Sequence, residues 1–180
     1  GECIAREYKF VGGNWICSPM VDYVNRFTAN IVRPLSNNLE QLISLSVAFM
    51  KGMQSQCFAA GGKHFPGADL YEHRDSHIVT THLGTSFEEW EKTQGKVFQA
   101  LIDEGVYSIM TSGRTFPAVD KTMKEGRYLP AALSYEIIMN LLKKKMGFRG
   151  VVITDDVTMG CFTSFYTGGE LYAKFIEAGN

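Results

Sequence analysis

Hydrophobic positions along the chain switch repeatedly between short β-type runs and stretches spaced for a helix. That alternation predicts βα units around a parallel sheet. Five runs read as strands: Asn14–Met20, Cys57–His64, Val106–Thr111, a short one near Ala131–Leu133, and Val151–Thr154. Only the last is a clean branched apolar run. The helices are better marked. Across Ser86–Glu104, Phe87, Trp90, Val97, Phe98 and Leu101 recur at helical spacing behind a Ser86/Glu89 capping box. From Ser134 to Met146, a Ser cap precedes Ile137, Ile138, Leu141 and Leu142, Lys143, Lys144 and Lys145 fill the last turn, and Gly147 stops the helix. The lysine run is read as a solvated helix end rather than a nucleic-acid patch. Asn38–Met53 and Glu170–Ala178 complete the set.

A closed eight-stranded βα barrel usually takes ~250 residues and rarely fewer than ~200. Five strands in 180 residues, with no repeat, linker or low-complexity stretch, therefore predict one domain over 1–180, an incomplete barrel. A 45% hydrophobic chain of this length can bury a core. Its 18 Lys and Arg against 19 Asp and Glu leave no basic excess to hold a nucleic-acid backbone or an anionic membrane, so a neutral or small substrate is expected. Cys3, Cys17, Cys57 and Cys161 form no CxxC pair, which suggests reduced thiols and a cytoplasmic protein. No apolar run approaches the ~20 residues of a membrane span, and GECIAREYKF has no signal-peptide layout.

Loops that follow barrel strands gather at one face, so polar residues just after strand candidates come first. In Gly147–Asp156, a buried strand ends in adjacent carboxylates, Asp155 and Asp156. A carboxylate there can attack an anomeric carbon or bind a metal, or simply cap a turn, and alternation lets only one of the two point inward. In Gly61–His77, a strand delivers Lys63 and His64, and a Gly-Pro-rich loop carries Asp75 and His77. An Asp two residues from a His can orient the imidazole and support its protonated form, although Asp-Ser-His is also an ordinary hydrated loop. Lys63 and His64, polar at the end of a buried strand, need partners. In Asn14–Ser36, Asp22 and Arg33 follow a strand. Arg33 can fork onto hydroxyls or lock Asp22 in an ion pair.

In this order the segments resemble family 3 glycoside hydrolases. Leu141–Asp156, LLKKKMGFRGVVITDD, is similar to that family's active-site signature, with Asp155 in the nucleophile's place; Lys63–Gly67, KHFPG, matches its substrate-gripping strand end; Arg74–His77, RDSH, looks like the Asp-x-His dyad of the β-N-acetylglucosaminidase branch. The similarity runs from Ala5 to Asn180, about the third to seventh βα units of a TIM (β/α)8 barrel. Two places depart from the pattern: the dyad loop Ala68–Arg74, and Thr111–Pro117, TSGRTFP, where Gly113 or Arg114 stands near the place of a His common in the family.

The resemblance implies a retaining double displacement on a terminal β-linked aminosugar. Asp155 is the nucleophile, His77 the acid/base tuned by Asp75, and Lys63, His64, Arg33 and Asp22 bind the sugar, with no cofactor or metal. A partner or second copy is expected to complete the barrel. Two rivals remain at this level: a catalytically impaired sugar-binding fragment, and a metal site drawn from His64, His73, His77 and His82 beside Glu72 and Asp75.

Overall fold

The computed structural model describes residues 1–24 and 32–180. Its centre is a four-stranded parallel sheet in the order β1 (Trp15–Ile16), β2 (Ala59–Phe65), β4 (Ser108–Thr111), β8 (Val151–Ile153). The strand order advances in one direction along the chain, without the reversal of a doubly wound sheet. Two short pairs lie apart: β3 (Thr81–His82) runs parallel to β5 (Arg114–Thr115), and β6 (Met123–Lys124) forms a hairpin with β7 (Arg127–Tyr128). The hairpin turns through Glu125 and Gly126, both at positive φ, the combination a two-residue turn requires.

Helices α1 (Glu2–Phe10), α2 (Leu39–Gln54), α3 (Phe87–Lys92), α4 (Gln94–Asp103), α5 (Gly160–Thr163) and α6 (Gly168–Ala178) accompany the sheet. Asn38 caps α2 by accepting the Gln41 N–H, and Ser86 caps α3 by accepting that of Glu89. The apolar faces of α2 and α4 meet β2 and β4 around Met50, Met53, Phe58, Phe98, Leu101 and Ile109, all fully buried. Phe65 projects from β2 edge-on to Phe98 and Trp90, at 5.1 and 6.1 Å between ring centres. The Trp90 Nε1–H donates to the Pro66 carbonyl at 2.7 Å, tying this core to the loop that carries the site.

Four of the five expected strands are present, all in the one sheet. The fifth is not: Ala131–Leu133 is a 3-10 turn following Pro130, its three side chains buried. A short apolar run buries equally well in either form, so hydrophobicity alone does not separate them. The helix expected over Ser86–Glu104 breaks at Thr93 into α3 and α4. Trp90 lies so close to Gly95 that a Cβ there would meet its ring at 2.9 Å. The helix expected from Ser134 is found over Glu136–Lys145 but winds as a π-helix, closing with Met146 N–H to Leu141 O. Its lysines are a helix end, as read: Lys144 bonds Asn140 and Lys145 bonds Glu91.

Candidate active site

β2 ends in a bulge. Register with β4 shifts between Lys63 and Phe65, so His64 drops out of the ladder and its ring turns inward, 6% exposed. Asp22, arriving from the segment after β1, is completely buried behind it. The Asp22 carboxylate accepts the His64 backbone N–H on Oδ1 at 3.0 Å and lies 3.1 Å from His64 Nδ1 through Oδ2. That same Oδ2 accepts from Arg114 Nη1 at 3.1 Å, and Arg114 Nη1 also donates to Gly67 O at 3.2 Å. Burial opposes ionisation of Asp22, but the Arg114 guanidinium and His64 outweigh it and hold its carboxyl well below the usual range. An ionised carboxylate only accepts, so His64 Nδ1 is the donor. His64 Nε2 then faces Asp155 Oδ2 at 3.7 Å.

Asp155 follows β8, its backbone N–H bonded to Thr111 O at 3.2 Å. The two adjacent acids part company here. Asp155 lines the cleft, whereas Asp156 is exposed and accepts from Thr158 N and Oγ1 at 2.8 and 2.7 Å. The turn-capping role that spacing alone allowed for either acid falls to Asp156.

The cleft is lined by Arg33, His64, Arg74, Asp75, His77, Arg114 and Asp155, with Ser76 and Ser112. On its far wall Asp75 Oδ1 accepts the His77 backbone N–H at 2.9 Å and lies 2.6 Å from His77 Nδ1. The backbone N–H of His77, then its ring, lower the Asp75 carboxyl below the usual range. This dyad sits on an exposed loop, its side chains 59% and 51% accessible, fastened from below by the Gly160 N–H on His77 O at 2.8 Å. Arg74 is clamped by Glu72, whose carboxyl is pulled down to about 2, first by the hydrogen bond from the Arg74 side chain.

The structure thus brings Asp155, His64, Asp75, His77 and Arg33 to one cleft. Lys63 lines an adjoining recess with Cys17 and Arg33. The reading of Asp22 as a sugar ligand needs correcting: with no accessible surface and its oxygens bonded to His64 and Arg114, it orients a cleft residue instead of meeting the sugar. Arg114 joins the site, lining the cleft and bonding Asp22, although its sequence context marks it only as standing near the place of a His common in the family. Gly113 has no room for a larger side chain, because a Cβ there would lie 2.0 Å from Cys161 Sγ. Gly67 is equally constrained, at φ +111 with the Gln94 amide 2.4 Å from a Cβ position. Among the described residues no group of three His, Cys, Asp or Glu side chains is placed to hold a metal ion, and His82 Nδ1 is 2.7 Å from Thr115 Oγ1.

Known proteins resemble the chain over almost all of its length. The glycosyl hydrolase family 3 N terminal domain matches residues 1–180. A beta-N-acetylglucosaminidase/beta-glucosidase of Cellulomonas fimi is 30% identical over 98% of this chain and 32% of its own. A beta-hexosaminidase of Neisseria gonorrhoeae is 32% identical over 88% of this chain and 42% of its own. Among solved structures, a family 3 beta-N-acetylglucosaminidase from Paenibacillus superposes with a TM-score of 0.86 at 31% identity, covering 98% of this chain and 33% of that one. A beta-glucoside phosphorylase, BglX, superposes with a TM-score of 0.88 at 28% identity, covering 99% and 33%. The chain therefore spans about a third to two fifths of the length of these relatives. With every residue inside the matched domain, the chain belongs to glycosyl hydrolase family 3.

Proposed function

We propose that the chain carries the catalytic groups of a glycoside hydrolase that removes terminal β-linked N-acetylglucosamine-type sugars with retention of configuration. The observation that carries this reading is the shared cleft: Asp155 on one wall, the Asp75–His77 dyad on another, and His64 beside Asp155. Asp155 attacks the anomeric carbon as the bond to the leaving oxygen breaks, and His77 gives that oxygen its proton. In the second half His77 takes a proton from water, the water oxygen bonds the anomeric carbon, and Asp155 departs. His64, Arg33 and Lys63 bind hydroxyls and fix the ring. These steps need no cofactor. The names of the relatives support the sugar assignment.

Turnover of an aryl N-acetyl-β-glucosaminide, abolished by Asp155→Asn and preserved by Asp156→Asn, tests the reading. Labelling of Asp156 by a fluorinated glycoside would defeat it. A second reading, phosphorolysis, is supported by the likeness to a beta-glucoside phosphorylase and by Arg33 and Arg74 lining the cleft. Phosphate would then replace water in the second half, and the sugar 1-phosphate would appear in the same assay run with phosphate.

The chain is read as about the third to seventh βα units of a (β/α)8 barrel, with four sheet strands and the 3-10 turn Ala131–Leu133 in the place of the sixth strand. The one-directional strand order supports this, as do the half-exposed Trp15 and Val151 on the two outer strands. More polypeptide or a second copy would cover those edges, and light scattering reads the second. The cytoplasmic location belongs to the same proposal, supported by four cysteines that are all free thiols.

A further inference from the structure

Arg114 is a cation, 8% exposed, whose guanidinium reaches two partners from different parts of the chain: the Asp22 carboxylate and the Gly67 carbonyl. Burying a charge so thoroughly is costly unless it is paired, and a purely structural pair could be replaced by apolar packing at no loss. Here the pair has a third member. Asp22 Oδ2 is shared between Arg114 and His64 Nδ1, both at 3.1 Å, and the far nitrogen of that ring lies 3.7 Å from Asp155. The Gly67 contact fixes the guanidinium across the turn that immediately follows His64, so neither end of the relay moves independently.

We propose that Arg114 is a positioning residue: by pairing with Asp22 it makes that carboxylate an obligate acceptor, places the hydrogen of His64 on Nδ1, and so aims Nε2 at Asp155 and the sugar. The inference rests on the reading of Asp155 as the reacting group. The local chemistry has two states. With Arg114 present, Asp22 is ionised and accepts from Nδ1–H. Without it, a fully buried carboxyl loses the guanidinium that favours its ionised form, burial favours the protonated form, and its O–H can donate to a bare Nδ1. That exchange reverses the tautomer and turns Nε2 from an acceptor of a sugar hydroxyl into a donor. The groups facing the relay are His64 on β2, Arg114 on β5, Asp155 after β8, and Asp75, His77, Arg33 and Arg74 across the cleft.

Arg114→Gln keeps a hydrogen-bond donor and removes the charge; Arg114→Lys keeps the charge. In the Gln variant kcat/KM should fall by roughly tenfold for each pH unit below the newly raised Asp22 pKa and recover as pH rises. The Lys variant should retain the wild-type pH profile at a reduced rate. Thermal melts over the same pH range separate this from unfolding: the variant must stay folded at every pH where its rate falls. Ring-nitrogen NMR of His64 in the unmodified protein is independent of turnover. Nδ1 carrying hydrogen supports the relay, and a bare Nδ1 overturns it, whether or not Arg114→Gln folds. A Gln variant with the wild-type profile would also overturn it. No turnover by any form of the chain would sink the hydrolase reading and leave the NMR result to decide the relay.

Discussion

Asp75→Asn isolates what the charge of the dyad's carboxylate adds. Asn keeps an Oδ1 in the same place, able to accept both the His77 backbone N–H, now 2.9 Å away, and Nδ1–H, now 2.6 Å away. Only the negative charge is lost. Because the two side chains are 51% and 59% accessible, water screens their attraction, and exposed pairs of this kind are worth about 0.2–1 kcal/mol. At the top of that range the loss is roughly fivefold in rate. His77→Ala, by contrast, removes the proton carrier, a loss of about 10²- to 10⁴-fold. Initial rates on aryl glycosides of graded leaving-group acidity read both effects. The His77→Ala deficit should grow as the leaving group worsens, while the Asp75→Asn deficit stays small and nearly flat. An Asp75→Asn loss as large as that of His77→Ala would refute the reasoning, because it would mean that the pair is shielded from water when substrate is bound.

Replacing Asp22 by Asn should destabilise the fold by about 3–5 kcal/mol at pH 7, since it leaves Arg114 buried without its counter-charge. Asp22 is depressed in the folded state, so its contribution is complete above the unfolded carboxyl pKa of about 4 and wanes as pH falls toward the folded value. Urea melts should accordingly show the gap between wild type and variant narrowing below that pH; a constant gap would count against the ionised assignment. Gly113→Ala should cost about 1–3 kcal/mol, because its Cβ would lie 2.0 Å from Cys161 Sγ, and Cys161→Ala in the same chain should restore part of it. Additive losses would show that the two sites do not collide. Ser134→Ala should cost about 2–4 kcal/mol by thermal melt: its hydroxyl both accepts the Ile137 N–H at 3.1 Å and donates to the buried Asp120. A change within ~0.5 kcal/mol, the range of an ordinary surface substitution, would rule that pairing out.

The parts of this site that could be read from sequence are those whose chemistry and position are local. Asp155 stands at the end of a branched apolar strand, and Asp75 and His77 are two residues apart, so spacing marks them as candidates, while their roles come from the resemblance to family 3. Arg114 has no such signal. Its partner Asp22 is 92 residues away, and a Ser-Gly-Arg turn after a strand looks like any solvated loop until the fold closes over it. For the same reason the sequence does not separate Asp22 from a sugar ligand: nothing in SPMVDY distinguishes a carboxylate facing a cleft from one sealed behind it. Helix α1 and the β6–β7 hairpin carry no clear signal in the sequence either. The hairpin did leave a trace, the Glu125–Gly126 pair, but strands of two residues are too short to show alternation.

The site divides into two halves built on different physics. One half is buried: Asp22, His64 and Arg114 have at most 8% exposure and are linked by hydrogen bonds of 3.0–3.2 Å across β2, β5 and the segment after β1. Its position is set by the core, because Phe65, the next residue after His64, packs on Phe98 and Trp90, and Trp90 bonds Pro66. The other half is the Asp75–His77 loop, half-exposed and held mainly by its own turn and one backbone bond to Gly160. A nucleophile and its neighbours must meet the anomeric carbon within a few tenths of an ångström, and packing supplies that rigidity. A proton carrier has a different requirement, since it serves the leaving group first and water afterwards, and both must reach it from solvent. The proposed reaction gives the division a reason: the parts assigned to holding the sugar are fixed by the sheet, and the part assigned to trading protons is placed where water can arrive.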